Sequence, residues 1–303
     1  QNDDGSALYA AQTEEVAKTM VESYAGEDAA LQLICSAKVD VVYICTDWTS
    51  HTPLAIEAMR AGKHVAVEVP VATTIEDCWR LVQTAEATQR HCFMTENCCY
   101  DWFTLATRSL YNKGYFGTLT HAEGGYLHDW RNYFESSTAD TYRQGALQGG
   151  NPYPTHGIAP IGQLLRDNND RMVRLVSMTG QAMGRNHLMG HGNTAIITTE
   201  KEVTILLQFD CTTPRPYSRL QTLCGTVAFA QKYPVPTLQK GDRIWTASAA
   251  ETELLGAPST PALELWREGK ARGVENPMNY AMDARFIACL QAGLPLDIDV
   301  YDA

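Results

Sequence analysis

The sequence lacks several features that would place it in a common functional class. No run of lysine or arginine interrupts a composition of 24 basic and 35 acidic residues, which gives a formal net charge of -11 and a pI of about 5.2. Such a surface repels nucleic acid and anionic membranes, so we expect neither as a partner. No apolar stretch approaches the roughly 20 residues that are needed to cross a bilayer.

Paired cysteines are also missing. The nine cysteines include no CxxC pair, and an odd, scattered count argues against both a disulfide framework and a zinc ribbon. We expect buried, reduced cysteines that pack as small apolar side chains, such as Cys45 at the end of an apolar run. His187 and His191 are four residues apart, but Gly190 and Gly192 disfavour a helix there, so no metal site is predicted.

A third absence concerns nucleotide binding. A dinucleotide is expected to need a Gly-rich turn between a strand and a helix, where backbone N–H groups approach the pyrophosphate. Gly190–Ala195 fits the G-x-G-x-x-A pattern, but it precedes a strand-like run rather than a helix. We therefore reject it as a nucleotide-binding turn.

Residues 41–97 alternate between strand-like and helix-like segments. Continuous apolar runs typical of buried strands lie at Val41–Cys45, His64–Val67 and Cys92–Met94. Pro53 and Gly62 are typical of the start and end of one intervening helix, and Thr74 is typical of the cap of the next. For this second helix, Trp79, Val82 and Ala85 are expected to form the apolar face. The alternation predicts parallel strands with right-handed crossovers.

The pattern changes after about residue 98. A helix at Trp102–Tyr111 and a final helix at Tyr280–Gly293 enclose a series of candidate strands, and 237–275 is weakly patterned and expected at the surface. The candidate strands are Leu119–Leu127, Arg174–Gln181, Ala195–Thr199, Val203–Asp210 and Leu220–Ala230. Ala195–Thr199 and Val203–Gln208 flank a short polar turn and predict a hairpin.

These patterns predict an α/β chain of two domains. Residues 1–97 would form an incomplete Rossmann-like parallel sheet, a partial dinucleotide-binding domain that lacks the Gly-rich loop. Residues 98–303 would form an α+β domain with a mainly antiparallel sheet. This domain is expected to bind the substrate and to form the subunit contacts of a homo-oligomer.

The candidate site lies where the parallel strands end. Polar segments at Thr46–His51, Glu68–Pro70 and Glu96–Asn97 follow the three strands, and the carboxyl ends of parallel strands share one edge, where ligands bind. In Gly149–Pro160, a phenol and an imidazole stand three residues apart, at Tyr153 and His156, ahead of an apolar face with helical spacing. His156 is therefore expected near a helix start.

Several motifs together resemble family 109 glycoside hydrolases, which are α-N-acetylgalactosaminidases built on the Gfo/Idh/MocA oxidoreductase fold. The resemblance covers about residues 27–303. The motifs are Trp48–His51, Gly62–Val65, Glu68–Pro70, Glu96–Asp101, Tyr153–Gly157, Thr213–Arg219 and Gly293–Asp302.

The resemblance also shows two departures. Ordinary oxidoreductases of this superfamily carry Glu-Lys-Pro where this chain has Glu68-Val69-Pro70; Val69 cannot transfer a proton, which disfavours a simple sugar dehydrogenase. The family's first strand and Gly-rich loop are expected upstream of residue 1 and its last helix beyond residue 303, so the chain is interpreted as a fragment. Family members often carry an export signal, which leaves the bacterial cytoplasm and the periplasm or exterior open as compartments.

The resemblance implies a hydrolysis that proceeds through redox steps. Bound NAD⁺ takes hydride from C3 of the sugar, and the resulting ketone acidifies the C2 proton, so that a base can remove it and expel the glycosidic oxygen. Water then adds, and the hydride returns with retention at the anomeric carbon. No carboxylate pair of the kind that flanks the scissile bond in most glycosidases stands out in the sequence.

The resemblance also implies roles for individual residues. Cofactor-binding positions are matched by Trp48, Thr49, Ser50, His51, Glu68, Val69, Asn97 and Tyr153. Substrate-binding positions are matched by Tyr126, Tyr153, Pro154, Thr155, His156 and Tyr217, with Arg143 favoured over Arg131 as a further one. His156 is the expected proton-transfer group, because an imidazole titrates near neutral pH, with Tyr153 and Tyr217 as the other catalytic candidates.

Two other functions remain open from the sequence. One is an NAD(P)-dependent sugar or inositol dehydrogenase with the same fold. The other is a non-catalytic fragment that keeps only a sugar pocket.

Overall fold

The computed structural model describes residues 24–36, 38–130, 150–180 and 192–302. The first sheet has three parallel strands in the order β1-β2-β3, which confirms the predicted strands and their direction. Its strands are β1 (Val41–Ile44), β2 (His64–Val67) and β3 (Cys92–Met94). The helices beside it in sequence are α1 (Ala29–Ile34), α2 (Trp48–Arg60) and α3 (Ile75–Thr88).

Helix α2 begins earlier than the sequence predicts. The Asp47 carboxylate accepts a hydrogen bond from the Thr49 backbone N–H at 3.0 Å, and this cap sets the first helical residue. Pro53 therefore lies inside the helix. Because proline has no N–H, the only hydrogen bond lost is the one to the carbonyl four residues earlier, near the helix start. The predicted end is confirmed, because Gly62 has φ +81° and Lys63 N–H donates to the Ala58 carbonyl at 3.0 Å.

Helix α3 has the predicted cap but a different apolar face. The Thr74 hydroxyl accepts from the Asp77 backbone N–H at 3.1 Å. Trp79 is 61% exposed, whereas Leu81 is fully buried. The expected face was wrong at Trp79 only, since Ala85 is buried in the core beside Leu81 and Val82 packs against that core.

The second sheet has eight strands in the order β11-β10-β9-β8-β4-β7-β6-β5. All neighbouring pairs are antiparallel except β4 and β7, so the predicted mainly antiparallel sheet is confirmed. The strands are β4 (Leu119–Leu127), β5 (Met172–Thr179), β6 (Asn193–Thr199), β7 (Thr204–Asp210), β8 (Gln221–Gly225), β9 (Ala228–Gln231), β10 (Thr237–Lys240) and β11 (Arg243–Thr246). The β6–β7 hairpin is also confirmed.

One prediction about this half of the chain was wrong. Leu220–Ala230 is two strands, because the Thr226 and Val227 backbone N–H groups donate to the carbonyls of Thr118 and Phe116 instead of continuing one ladder. Most of residues 237–275 are exposed, as expected, and they form β10, β11 and the helices α6 (Ala247–Leu255) and α7 (Pro261–Ala271). Two of these elements are only four residues long, too short to show a clear period.

The cysteines are free, as expected, but not all are buried. None of the nine, which all lie in the described ranges, forms a disulfide. Cys35 and Cys45 are exposed. Cys45 follows the carboxyl end of β1 instead of lying within the strand.

The last helix, α8 (Pro277–Ala292), packs against the first sheet. Phe286 stacks on Phe93 of β3 with ring centroids 4.6 Å apart. The helix begins three residues before its predicted start, at a cap formed by Asn276, and ends at Gly293 as predicted. Within the described ranges, no helix has the length and apolar character needed to cross a membrane.

Helix α5 (Thr155–Asp167) carries His156 and lies against β4, and the helix before the sheet is α4 (Trp102–Asn112). Two glycines allow the backbones of α5 and β4 to meet. A Cβ built on Gly157 would lie 2.6 Å from the backbone nitrogen of Gly125 and 3.0 Å from the carbonyl carbon of Gly124. The small residues thus fix how far the start of α5 enters the site.

This close approach predicts a large effect of a single methyl group. Gly157→Ala should lower the free energy of unfolding by about 2–3 kcal/mol, because backbone atoms must move to admit the Cβ. Gly162→Ala is the matched control on the same helix: nothing lies within 4 Å of its Cβ position, and it should be neutral or stabilising by up to about 1 kcal/mol. Urea unfolding of both variants tests this, and equal midpoints would contradict the contact.

Candidate active site

Three loops meet at one edge of the first sheet. Because β1, β2 and β3 run parallel in register, the segments that begin at Cys45, Glu68 and Thr95 leave the sheet on the same side. The predicted convergence of the strand ends is therefore present in the fold. The crevice at this edge is the candidate cofactor side of the site.

His51 joins two of these loops. Its imidazole is 1% exposed; Nδ1 lies 2.8 Å from the Pro70 carbonyl oxygen and Nε2 lies 3.0 Å from the Thr46 carbonyl oxygen. The hydroxyl of Thr52 also donates to the Val71 carbonyl at 3.1 Å. Both ring nitrogens of His51 are thus occupied, so this geometry supports a role in holding the crevice together.

The start of α2 supplies a small polar cluster. Asp47 accepts hydrogen bonds from the hydroxyl groups of Thr49 and Ser50. The Thr49 hydroxyl is the main reason that the pKa of Asp47 lies below its ordinary value. Trp48, which lies between Asp47 and Thr49 in the sequence, is buried. Its ring centroid lies 5.9 Å from that of Tyr153.

Glu68 and Val69 line the crevice after β2. Burial raises the pKa of Glu68, and the nearby Glu96 carboxylate adds to that rise, whereas the Val69 N–H opposes it. Val69 is 3% exposed. An apolar side chain therefore stands where ordinary oxidoreductases of the fold are expected to carry lysine.

Glu96 and His156 form a buried pair across the two halves of the chain. His156 Nδ1 lies 2.7 Å from Glu96 Oε1, which also accepts the Cys98 backbone N–H at 3.0 Å. Glu96 is fully buried and His156 is 7% exposed. In the tautomer whose Nδ1–H group donates this hydrogen bond to the carboxylate, Nε2 carries a free lone pair and can accept a proton.

The charges of the pair follow from their surroundings. Burial opposes ionisation of Glu96, but His156 and the Cys98 N–H outweigh it and lower the pKa of Glu96 to about 2. Burial lowers the pKa of His156, and the Glu96 carboxylate opposes only part of that change. At neutral pH the pair is therefore a carboxylate hydrogen-bonded to a neutral imidazole.

Aromatic rings surround His156 and connect it to the cofactor side. The Tyr153 ring centroid lies 4.6 Å from that of His156 and 5.4 Å from that of Tyr126, and Tyr126 is 5.1 Å from His156. Because Tyr153 also contacts Trp48, its ring lies between the crevice and the imidazole. Tyr217 is farther out, 41% exposed, with its ring 6.4 Å from Tyr126.

Pro154 and Thr155 begin α5, which places His156 in its first turn as predicted. Pro160 has no N–H for the His156 carbonyl four residues before it, so this turn is held by the Pro154 carbonyl, which accepts from Gly157 at 3.1 Å. Arg143, its alternative Arg131, and the rejected His187 and His191 lie outside the described residues.

Asn97 is held from two directions. Its Nδ2 donates to Asn279 Oδ1 of α8 at 3.0 Å, and its Oδ1 accepts from Arg219 Nη1 at 3.0 Å. The carboxamide is therefore oriented before any ligand binds. Asn97 thus connects the cofactor side, the last helix and the segment that carries Tyr217.

Sequence reasoning missed four side chains at this site. Glu96 and Arg219 were part of quoted motifs but were assigned no role. His128 and Trp130 were not considered: the Trp130 indole N–H donates to His128 Nδ1, and the His128 ring centroid lies 4.9 Å from that of Tyr217. The only signal available for Arg219 was a charged residue two positions after the aromatic Tyr217.

A metal at this point is disfavoured by charge. Oxygen, sulfur and nitrogen atoms of Glu96, Cys98 and His156 lie within 4.8 Å of one another. However, the Arg219 guanidinium is 2.9 Å from the Cys98 sulfur, and its positive charge would repel a cation.

The first sheet and its crevice define a protein with a Rossmann-type oxidoreductase fold. Residues 7–96 match the family described as oxidoreductases with an NAD-binding Rossmann fold. Residues 100–303 match the C-terminal domain of glycosyl hydrolase 109. The chain belongs to glycosyl hydrolase family 109.

Individual relatives agree with this membership. A glycosyl hydrolase family 109 protein of Phocaeicola vulgatus is 44% identical over 95% of this chain and 77% of its own length. A Bacteroides fragilis protein named α-N-acetylgalactosaminidase is 42% identical over 93% of this chain and 73% of its own length. Among solved structures, an aldose-aldose oxidoreductase of Caulobacter crescentus, complexed with glycerol, shares the fold with a TM-score of 0.71 at 15% identity, over 99% of this chain and 82% of its own.

Proposed function

We propose that the protein is a glycosidase that releases terminal α-linked N-acetylgalactosamine with NAD as its resident cofactor. The observation that carries the mechanism is the buried Glu96–His156 pair, which stands against Tyr153 at the edge where the nicotinamide side of the crevice begins. The choice of sugar is supported by the relative named α-N-acetylgalactosaminidase.

The residues at the strand ends fit the nicotinamide half of a dinucleotide. The Glu68 carboxyl can accept hydrogen bonds from ribose hydroxyl groups, Val69 and Trp48 provide apolar surface for a ring, and Asn97 presents an oriented carboxamide. Thr49 and Ser50 stabilise the start of α2 through Asp47. When bound, the cofactor supplies reversible hydride exchange at C3 of the sugar.

The chain itself supplies proton transfer and orientation. His156 Nε2 takes the C2 proton of the oxidised sugar, and Glu96 holds the ring in the tautomer that leaves this nitrogen basic. Tyr153 contacts Trp48 on one side and Tyr126 on the other, and Tyr126, Thr155, Pro154 and Tyr217 are the proposed sugar-binding residues. Arg143 is retained as a further substrate-binding residue.

A labelling experiment tests this proposal. NAD-loaded protein is incubated with an aryl α-N-acetylgalactosaminide in deuterated water, and the released sugar is examined by NMR. We expect deuterium at C2, because removal and return of that proton accompany every turnover. Release of the sugar with hydrogen retained at C2 would exclude elimination.

The same incubation separates the glycosidase from a sugar dehydrogenase. A glycosidase that recycles its cofactor leaves the absorbance at 340 nm unchanged through many turnovers. Net accumulation of NADH on addition of free N-acetylgalactosamine would favour the dehydrogenase. Val69, which cannot act as the superfamily's proton-transferring lysine, supports the first outcome.

A further inference from the structure

Helix α8 supplies a residue to the cofactor side of the site. Asn279 of this helix accepts, through Oδ1, a hydrogen bond from Asn97 Nδ2 at 3.0 Å. Asn97 follows the carboxyl end of β3 and is one of the residues proposed to bind the cofactor. Asn279 lies one position before the helix start that the sequence predicts and 182 positions from Asn97, so neither spacing nor motif indicates its role.

The helix that carries Asn279 is anchored on the first sheet. The Asn279 backbone N–H donates to the Asn276 side-chain oxygen at 3.2 Å, in the first turn of α8. One turn further on, Asp283 accepts a hydrogen bond from the Tyr43 hydroxyl of β1 at 3.3 Å, and Phe286 stacks on an aromatic ring of β3. These contacts hold Asn279 at the edge of the sheet before any ligand binds.

The direction of the Asn97 carboxamide follows from the chemistry of its two neighbours. A guanidinium only donates hydrogen bonds, so Arg219, whose Nη1 lies 3.0 Å from Asn97 Oδ1, fixes the oxygen end of the amide. The nitrogen end then needs an acceptor, which Asn279 Oδ1 provides. Because Nδ2 carries two hydrogens, one remains for a ligand.

We propose that Asn279 is a positioning residue for the cofactor: it holds Asn97 so that the second Nδ2 hydrogen is left for an oxygen of the nicotinamide riboside half of NAD. The inference rests on the proposed function, and only on its cofactor part. It gives a cofactor role to the part of the chain that was expected to bind the substrate. The role is indirect, because Asn279 acts through Asn97.

Asn279→Leu and Asn279→Asp test the acceptor. Leucine removes it at similar size, and the Kd for NADH should rise about tenfold, because a half-buried donor loses its partner and the amide loses one of two anchors. Aspartate keeps an acceptor oxygen and cannot donate, so the Kd should stay within about threefold of that of the unaltered protein. Titration with NADH, followed by quenching of tryptophan fluorescence, measures both.

Asn112→Leu is the matched control. Asn112 also donates from its amide nitrogen to a side chain, Asp167 Oδ2 at 2.8 Å, but it lies on α4 outside the crevice. Its loss should leave the affinity for NADH unchanged. The two Asn279 variants should also share one urea midpoint, which separates lost affinity from lost folding. Equal losses of affinity in Asn279→Leu and Asn279→Asp would overturn the inference, because the acceptor would then not matter.

A double-mutant cycle tests whether Asn279 acts through Asn97. Asn97→Ala alone should raise the Kd for NADH by about tenfold or more, since it removes the donor itself. In that background, Asn279→Leu should add less than about twofold, because its partner is already gone. Losses that multiply in the double variant would mean that Asn279 affects the cofactor independently of Asn97, and the positioning role would be refuted.

The inference and the proposed function fail in different ways. If the unaltered protein releases sugar without deuterium at C2, the proposed chemistry fails, and the NADH titrations still decide the role of Asn279. If the unaltered protein shows C2 exchange but Asn279→Leu binds NADH equally well, the proposed function stands and only the role of Asn279 is refuted. Failure of the unaltered protein to bind NADH would overturn both.

Discussion

Replacing His156 by asparagine should lower kcat by about 10³-fold while the fold is retained, a loss within the usual range for removal of a general base. The asparagine amide can occupy the position of Nδ1, so the hydrogen bond to Glu96 at 2.7 Å is preserved in kind. What disappears is Nε2, the nitrogen proposed to take the C2 proton. Steady-state kinetics with an aryl α-N-acetylgalactosaminide measures the change.

His121→Asn provides the matched comparison. His121 lies on β4 outside the site and contacts the Thr204 hydroxyl at 2.8 Å, so its replacement removes an imidazole without affecting the crevice. C2 exchange on free N-acetylgalactosamine should also disappear in His156→Asn and persist in His121→Asn. Exchange that survives in His156→Asn would assign the base to another residue, with Tyr153 the next candidate.

The edge of the first sheet was predictable because its signals are local. The apolar runs at β1, β2 and β3 are bounded by polar residues, and parallel strands carry their ends to one side whatever the details of packing. The start of α5 at Thr155 was predictable for the same reason, since the apolar face behind His156 has helical spacing. Such features depend on residues close together in the chain.

The partners that give the site its chemistry were not predictable in this way. Glu96 meets His156 across 60 positions, and Arg219 meets Asn97 across 122. No period or spacing encodes contacts of this kind, which form only when distant segments of the chain come together; for His156 this happens when α5 docks on β4 through Gly124 and Gly157. A glutamate after a strand is also common, so its charge alone carries little information.

The four-residue strands β10 and β11 show another limit. β10 is placed by its pairing with β9, where Leu238 lies opposite Ala230 and both side chains are buried. β11 pairs in turn with β10. Pairing of this kind overrides the weak local preference of short segments. The sequence pattern therefore did not reveal these strands, although most residues of 237–275 are exposed, as expected.

The site joins two halves of the chain through the Glu96–His156 pair. This pair combines a buried carboxylate with a neutral imidazole. A sugar placed beside His156 would meet a proton acceptor whose orientation is fixed by the other half of the chain.

Replacing Glu96 by glutamine should lower kcat by about 10²–10³-fold, because a side-chain amide that donates to Nδ1 favours the tautomer with the proton on Nε2. The acid limb of the kcat/KM profile should also move. In the unaltered protein this limb lies below the ordinary histidine pKa, since burial lowers the pKa of His156, and the Glu96 carboxylate holds it up in part. Without the carboxylate the pKa falls further, so the limb shifts to lower pH while the plateau drops.

Acid unfolding gives an independent check of the same pair. The folded-state pKa of Glu96 is lowered from 4.5 to about 2, so its contribution to stability is complete above about pH 4.5 and is lost as the pH falls toward 2. Glu96→Gln should flatten this part of the stability profile. If Glu96→Gln kept kcat within about threefold and left the acid limb in place, Glu96 would not orient the base.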